Sequence, residues 1–170
     1  MQSIVPPDEN QTVNNTNEID PDTLAQVRSG ANWFYWIAGL SLINSAIFLF
    51  GGEISFILGL AVTQVIDGLV GAAIAEGAPG GLKVIAVGLD LVVAFIFVLF
   101  GYFSNKGLAL AFIIGSIIYI FDGLIYLAVG DMLAAGFHVF ALFFIIRGFL
   151  ASRRLANFQA ANQQQTASIW

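Results

Sequence analysis

The chain has 170 residues, of which 58% are hydrophobic and only 10% charged, with a mean hydropathy of +0.86. That balance excludes an ordinary soluble domain and predicts an integral membrane protein, with the lipid bilayer as its obligatory partner. With no cysteine and a single histidine, disulfides, thiolate chemistry and multi-histidine haem or zinc sites are excluded. The six Lys and Arg are too scattered to form a basic patch for nucleic acid.

The net charge of -5 is largely local, since Asp8, Glu9, Glu18, Asp20 and Asp22 fall within the first 22 residues. Residues 1–30 are rich in Asn, Thr, Asp, Pro and Gln and predict a disordered tail without a signal peptide. Within it, Asp20-Pro21-Asp22 has the chemistry of a helix start, which predicts either a short interfacial helix carrying Leu24 and Val27 or a transient turn.

From Trp33 onward the chain is a series of apolar runs near the ~20 residues that cross a hydrocarbon core. Spans are predicted at Trp33 to Phe50, Ile54 to Ala75, Leu82 to Phe103, Leu108 to Val129 and Met132 to Leu150. The expected fold is thus all-α: a compact bundle of five transmembrane helices over residues 31–151, flanked by disordered termini, the second being a polar tail over 152–170. Helices are required because a bilayer leaves backbone groups no water to bond with. Five crossings put the termini on opposite sides. Lys106, Arg147, Arg153 and Arg154 then face Arg28 and Lys83, which makes the C-terminus cytoplasmic and the N-terminus external. A re-entrant second segment would overturn that topology. Trp33-Phe34-Tyr35-Trp36 has the composition of an aromatic anchor at the headgroup level.

The run Trp33 to Asn44, with Phe137-His138-Val139-Phe140-Ala141-Leu142-Phe143 and Arg147-Gly148, resembles a group of small multi-spanning bacterial membrane proteins of unassigned function. The resemblance implies a bacterial inner-membrane location and supplies no activity, cofactor or site. An internal similarity also stands out. Phe50-Gly51 precedes Ile66-Asp67-Gly68-Leu69 much as Phe100-Gly101 precedes Phe121-Asp122-Gly123-Leu124, either a parallel repeat or chance likeness between Gly-rich apolar helices.

Acids within spans are the most informative residues, because each carries an apparent insertion cost of about 2.5 to 3.5 kcal/mol and is seldom left facing lipid. Counting outward from the turns brings Asp122 and His138 to one height on adjacent helices and Asp67 and Asp90 to about the same depth, with Asn44 only slightly deeper, so that all five spans contribute one polar group to a common layer in the outer half of the bilayer. Gly107, Ala111 and Gly115 form a track that passes near Ile118 and Asp122; on the last span Ala134, His138, Ala141, Ile145 and Gly148 form one stripe. Asp67, Asp90, Asp122 and His138 are therefore the candidate ligands of a metal cation or a proton, for transport or sensing. The competing reading makes them packing contacts of a structural or regulatory subunit. Arg147 is expected to snorkel, Lys83 and Lys106 to act as topological signals, and Glu53, Glu76 and Asp131 to be solvated turn carboxylates.

An enzyme is not expected. Ser41 or Ser116 with His138 lacks any further sign of an activated nucleophile, and an aspartic dyad of Asp67 with Asp90 lacks its sequence context. A bundle this small leaves room for a homo-oligomer or a place in a larger membrane complex. Ion and substrate are not legible.

Overall fold

The computed structural model describes residues 19–52 and 59–167. The predicted tail before residue 19, Glu53 and the start of the expected second span lie outside them. Among the described residues there are five helices and no strand: α1 (Pro21–Leu49), α2 (Ala61–Ala75), α3 (Leu82–Asn105), α4 (Ala109–Ala128) and α5 (Met132–Ala167). Four of them, α1, α3, α4 and α5, are long and apolar enough to cross a membrane. The exception is α2, whose 15 residues reach only about 22 Å.

The turns end where small residues permit. After α4, Gly130 adopts φ +80°, its N–H bonds Leu127 O at 3.2 Å, and Asp131 N bonds Tyr126 O at 2.9 Å, so the last carbonyls are satisfied by a left-handed C-terminal cap. The same pair of bonds recurs after α1, α2 and α3. Asp131 then caps α5 by accepting from Ala134 N at 3.0 Å, rather than being merely a solvated turn residue.

Both ends of the bundle carry more helix than the sequence predicts. Asp20 does cap, accepting from Asp22 N at 3.0 Å, with Pro21 in the first turn, but no separate interfacial helix follows. Instead α1 runs unbroken into the apolar stretch, because Val27 is buried and Gly30 meets Gly148 of α5 in close contact. At the other end α5 continues to Ala167 through a segment rich in Ala, Arg and Gln, where extending an existing helix costs little.

The central helix is α1, packed most extensively against α3 and α5. Phe34 is fully buried among Phe97, Phe100 and Phe112, with its ring seated over Gly115. Trp33 stacks on Phe144 at 5.3 Å and leaves Trp36 as the exposed indole, 65% accessible. The expected aromatic anchor is therefore divided, half of it serving as core. On α4 the buried face continues from Ala111 and Gly115 through Tyr119 to Asp122, while Ile118 is exposed. The α5 stripe is buried as predicted.

Chain direction follows from the contacts. Lys83 Nζ reaches Phe48 O at 3.5 Å, and Asn105 Nδ2 reaches Asn32 Oδ1 at 3.5 Å, so α3 runs antiparallel to α1 along most of its length. Residue 60, however, is back beside the middle of α1: Leu60 N bonds Ser41 Oγ at 2.7 Å. From there α2 climbs alongside the end of α1, with Gly71 against Phe48. The ends of α1 and α2 thus lie at the same end of the bundle, with residue 60 in its middle. The start of α1 and the Arg147 region of α5 share the opposite end. The two glycines of the internal similarity differ in role, since Gly51 is a left-handed turn residue whereas Gly101 lies within α3 against the Tyr35 ring.

Candidate functional site

The amino end of α2 lies inside the bundle, and its free backbone donors cannot be met by water there. Leu60, at its N-cap, has no capping side chain. Other helices supply what is missing. Asp122 of α4 accepts from Ala61 N at 2.8 Å (Oδ2) and from Val62 N at 2.9 Å (Oδ1), and the positive end of the helix favours that carboxylate. Ser41 of α1 takes Leu60 N, and Tyr126 Oη donates to Gly59 O at 3.2 Å. A Cβ on Gly59 would collide with the Asn44 amide, so a larger residue there would have to displace that side chain.

His138 of α5 completes this arrangement. Its Nε2 lies 2.9 Å from Asp122 Oδ2, and its Nδ1 lies 2.9 Å from Ala134 O. A carbonyl only accepts, so Nδ1 is the nitrogen placed to donate there, and Nε2 faces the carboxyl oxygen. Tyr119 stacks on the imidazole at 4.2 Å, and Gly123 leaves the ring its space, since a Cβ there would come within 3.0 to 3.1 Å of it. Both ring nitrogens are thus engaged, and neither serves Ser41 or Ser116. Among the described residues no serine hydroxyl is hydrogen-bonded to His138.

The second pair lies about 9 Å farther along α2, six residues on from Ala61. Asp67 faces Asp90 of α3, carboxyl to carboxyl and within hydrogen-bonding reach. Asp90 Oδ2 also accepts from Ser45 Oγ at 2.7 Å. Both acids are buried, and the Oδ1 atom of each has no partner. A hydrogen bond between two carboxyl groups needs a proton on one of them, so a pair placed in this way can share one.

The four predicted residues are accordingly brought together as two pairs rather than one centre. Among the described residues no group of three or more His, Asp or Glu is arranged to hold a metal ion. For Asp122 the reason is local, because backbone N–H groups and His138 already occupy its lone pairs. The common layer predicted for all four is not found: each pair is level within itself, but Asp67 and Asp90 lie about 9 Å along α2 from the end that Asp122 and His138 hold, because α2 starts in mid-bundle. Ser45, Tyr119 and Tyr126 are not singled out by the sequence, and Ser41 is considered there only as a nucleophile. Their signal was present in helical spacing, as Ser45 lies four residues beyond Ser41 and Tyr126 four beyond Asp122. Arg147 lies far from both pairs, as expected. Lys83 does more than mark topology, meeting a terminal carbonyl of α1 and the Phe48 ring.

The chain matches no model of a known protein family, no curated protein and no solved structure.

Proposed function

We propose that this is a four-span integral membrane protein with a re-entrant α2, and that it binds and releases a proton at the Asp67–Asp90 pair, for transport or sensing. The observation that carries the reading is the contact between two buried carboxyl groups with unpartnered Oδ1 atoms, at a height where an apolar pair would pack at no electrostatic cost. Asp122 and His138 have a different role. They hold the tip of the re-entrant segment, which is the part of the structural-subunit reading that their saturated hydrogen bonds favour.

The charge distribution supports this topology. With α2 returning to the side it left, Arg28, Lys106, Arg147, Arg153 and Arg154 gather at one end and Lys83 alone at the other, a stronger bias than five spans would yield. The end with five cations is cytoplasmic on this reading, and the start of α1 and the end of α5 lie there. That reverses the side expected for the N-terminus.

Infrared difference spectroscopy of the reconstituted protein across a pH titration tests the proton site. A protonated-carboxyl band that changes with pH and disappears in both Asp67→Asn and Asp90→Asn is the expected result. A spectrum without such a band, or one that neither substitution alters, sinks the proposal. Proton flux into liposomes with a trapped pH indicator then separates transport from sensing.

A further inference from the structure

Arg147 is the cation whose position demands explanation. Fifteen residues, about 22 Å of helix, separate it from Met132 at the start of α5. Across a hydrocarbon core of roughly 30 Å its backbone therefore lies inside the far boundary. Its neighbours on α5, Phe143, Ile146 and Leu150, are exposed apolar side chains of the kind lipid covers. Among the described residues Arg147 has no ion pair. An arginine rooted at that depth is costly unless its guanidinium finds an anion.

Beside it is a groove of about 350 Å³ between α1 and α5, lined by Asp22, Ala25, Gln26, Ser29, Phe144 and Arg147. Its polarity is graded along the membrane normal. Phe144, with the Trp33 ring stacked on it and the Phe140 ring edge-on to it, occupies the membrane side. Arg147 comes next, at the boundary. The hydroxyl of Ser29 and the amide of Gln26 follow, and Asp22 lies outermost, eight residues or about 12 Å of helix beyond Gly30, which packs on Gly148. Apolar, cationic, neutral polar and anionic groups thus succeed one another from the core outward. An aminophospholipid runs through the complementary series of acyl chain, phosphate, linker and ammonium.

We infer that this groove binds the phosphoethanolamine headgroup of a cytoplasmic-leaflet lipid. The phosphate lies on the Arg147 guanidinium, whose planar fork suits phosphate oxygens, and the ammonium lies on the Asp22 carboxylate. Basic pockets between helices on the cytoplasmic side are a recurring way to hold lipid headgroups. The acid at the outer end of this one adds selectivity. A quaternary choline has no N–H to offer Asp22, and a glycerol headgroup carries no cation.

The test uses full-length protein in detergent, with retention of phosphatidylethanolamine, phosphatidylcholine or phosphatidylglycerol measured by native mass spectrometry. Soluble glycerophosphoethanolamine and inorganic phosphate form a second arm. Phosphatidylethanolamine should be retained roughly tenfold better than the other two lipids, and the soluble compounds should not compete. Arg147→Gln should weaken retention of all three lipids, while Asp22→Asn should remove only the preference for ethanolamine. Arg154→Gln, the same charge change outside the groove, should alter neither. Equal retention of the three lipids, equal effects of Arg147→Gln and Arg154→Gln, or binding of the soluble compounds as tight as that of lipid would each overturn the assignment.

Discussion

Asp122 answers to three donors and His138 to two acceptors, and this arithmetic makes their positions unforgiving. Asp122→Ala leaves the Ala61 and Val62 N–H groups and the His138 proton without an acceptor in a place water does not reach. The expected loss is about 3 to 5 kcal/mol, the scale for removing one partner of a buried ion pair. His138→Gln retains an N–H donor for Asp122 and should cost clearly less. Asp67→Asn swaps one carboxyl for an amide of the same shape beside Asp90 and should cost about 1 kcal/mol, the scale of one hydrogen bond. Equilibrium unfolding of the three variants in mixed micelles measures the order. If Asp67→Asn proves as damaging as Asp122→Ala, the division into a proton pair and a structural pair is wrong.

At the level of helices, what matters is how closely backbones approach. A Cβ on Gly30 would lie 2.7 Å from the Gly148 Cα, and one on Gly148 equally close to the Gly30 Cα. Neither backbone can yield without parting α1 from α5. Gly30→Ala or Gly148→Ala should therefore destabilise by about 1 to 3 kcal/mol, the usual range for overpacking. Gly88, within α3, has nothing within 4 Å of its Cβ position, so Gly88→Ala should be neutral or stabilising by up to about 1 kcal/mol through helix propensity alone. Thermal unfolding of the three variants checks this, and a loss in Gly88→Ala equal to that in Gly30→Ala would contradict it. Of these close approaches, the sequence revealed only the place of Gly148 on a small-residue stripe. Its partner was hidden because Gly30 was assigned to a polar tail, and composition does not report that a helix has already begun.

For the whole molecule the sharpest question is how many times the chain crosses the bilayer. Because it lacks cysteine, single cysteines can be introduced without a background. Phe50→Cys and Glu76→Cys flank the re-entrant segment and should both react with an impermeant thiol reagent from outside the cell. Ala25→Cys and Lys106→Cys should react only after permeabilisation. Five crossings would instead place Phe50 and Glu76 on opposite sides, so reaction from opposite faces rejects the re-entrant topology. The distinction is hard to read from sequence, because a 15-residue helix and the apolar residues that precede it match a span in length and composition. The uneven make-up of that stretch, with Thr63, Gln64 and Asp67 among Gly59, Gly68 and Gly71, was the available sign.

By itself the sequence determined the helical state, the four helices long and apolar enough to cross a membrane, the positions of the turns and the equal heights within each polar pair. All of these follow from local quantities: hydropathy, backbone satisfaction and a constant rise per residue. Tertiary structure decided that α2 begins in mid-bundle, that Asp122 caps it, and that four polar residues form two pairs. The cause is physical. A helix end buried away from water must be satisfied by groups from other helices, and which groups arrive there depends on packing directions that no single segment encodes.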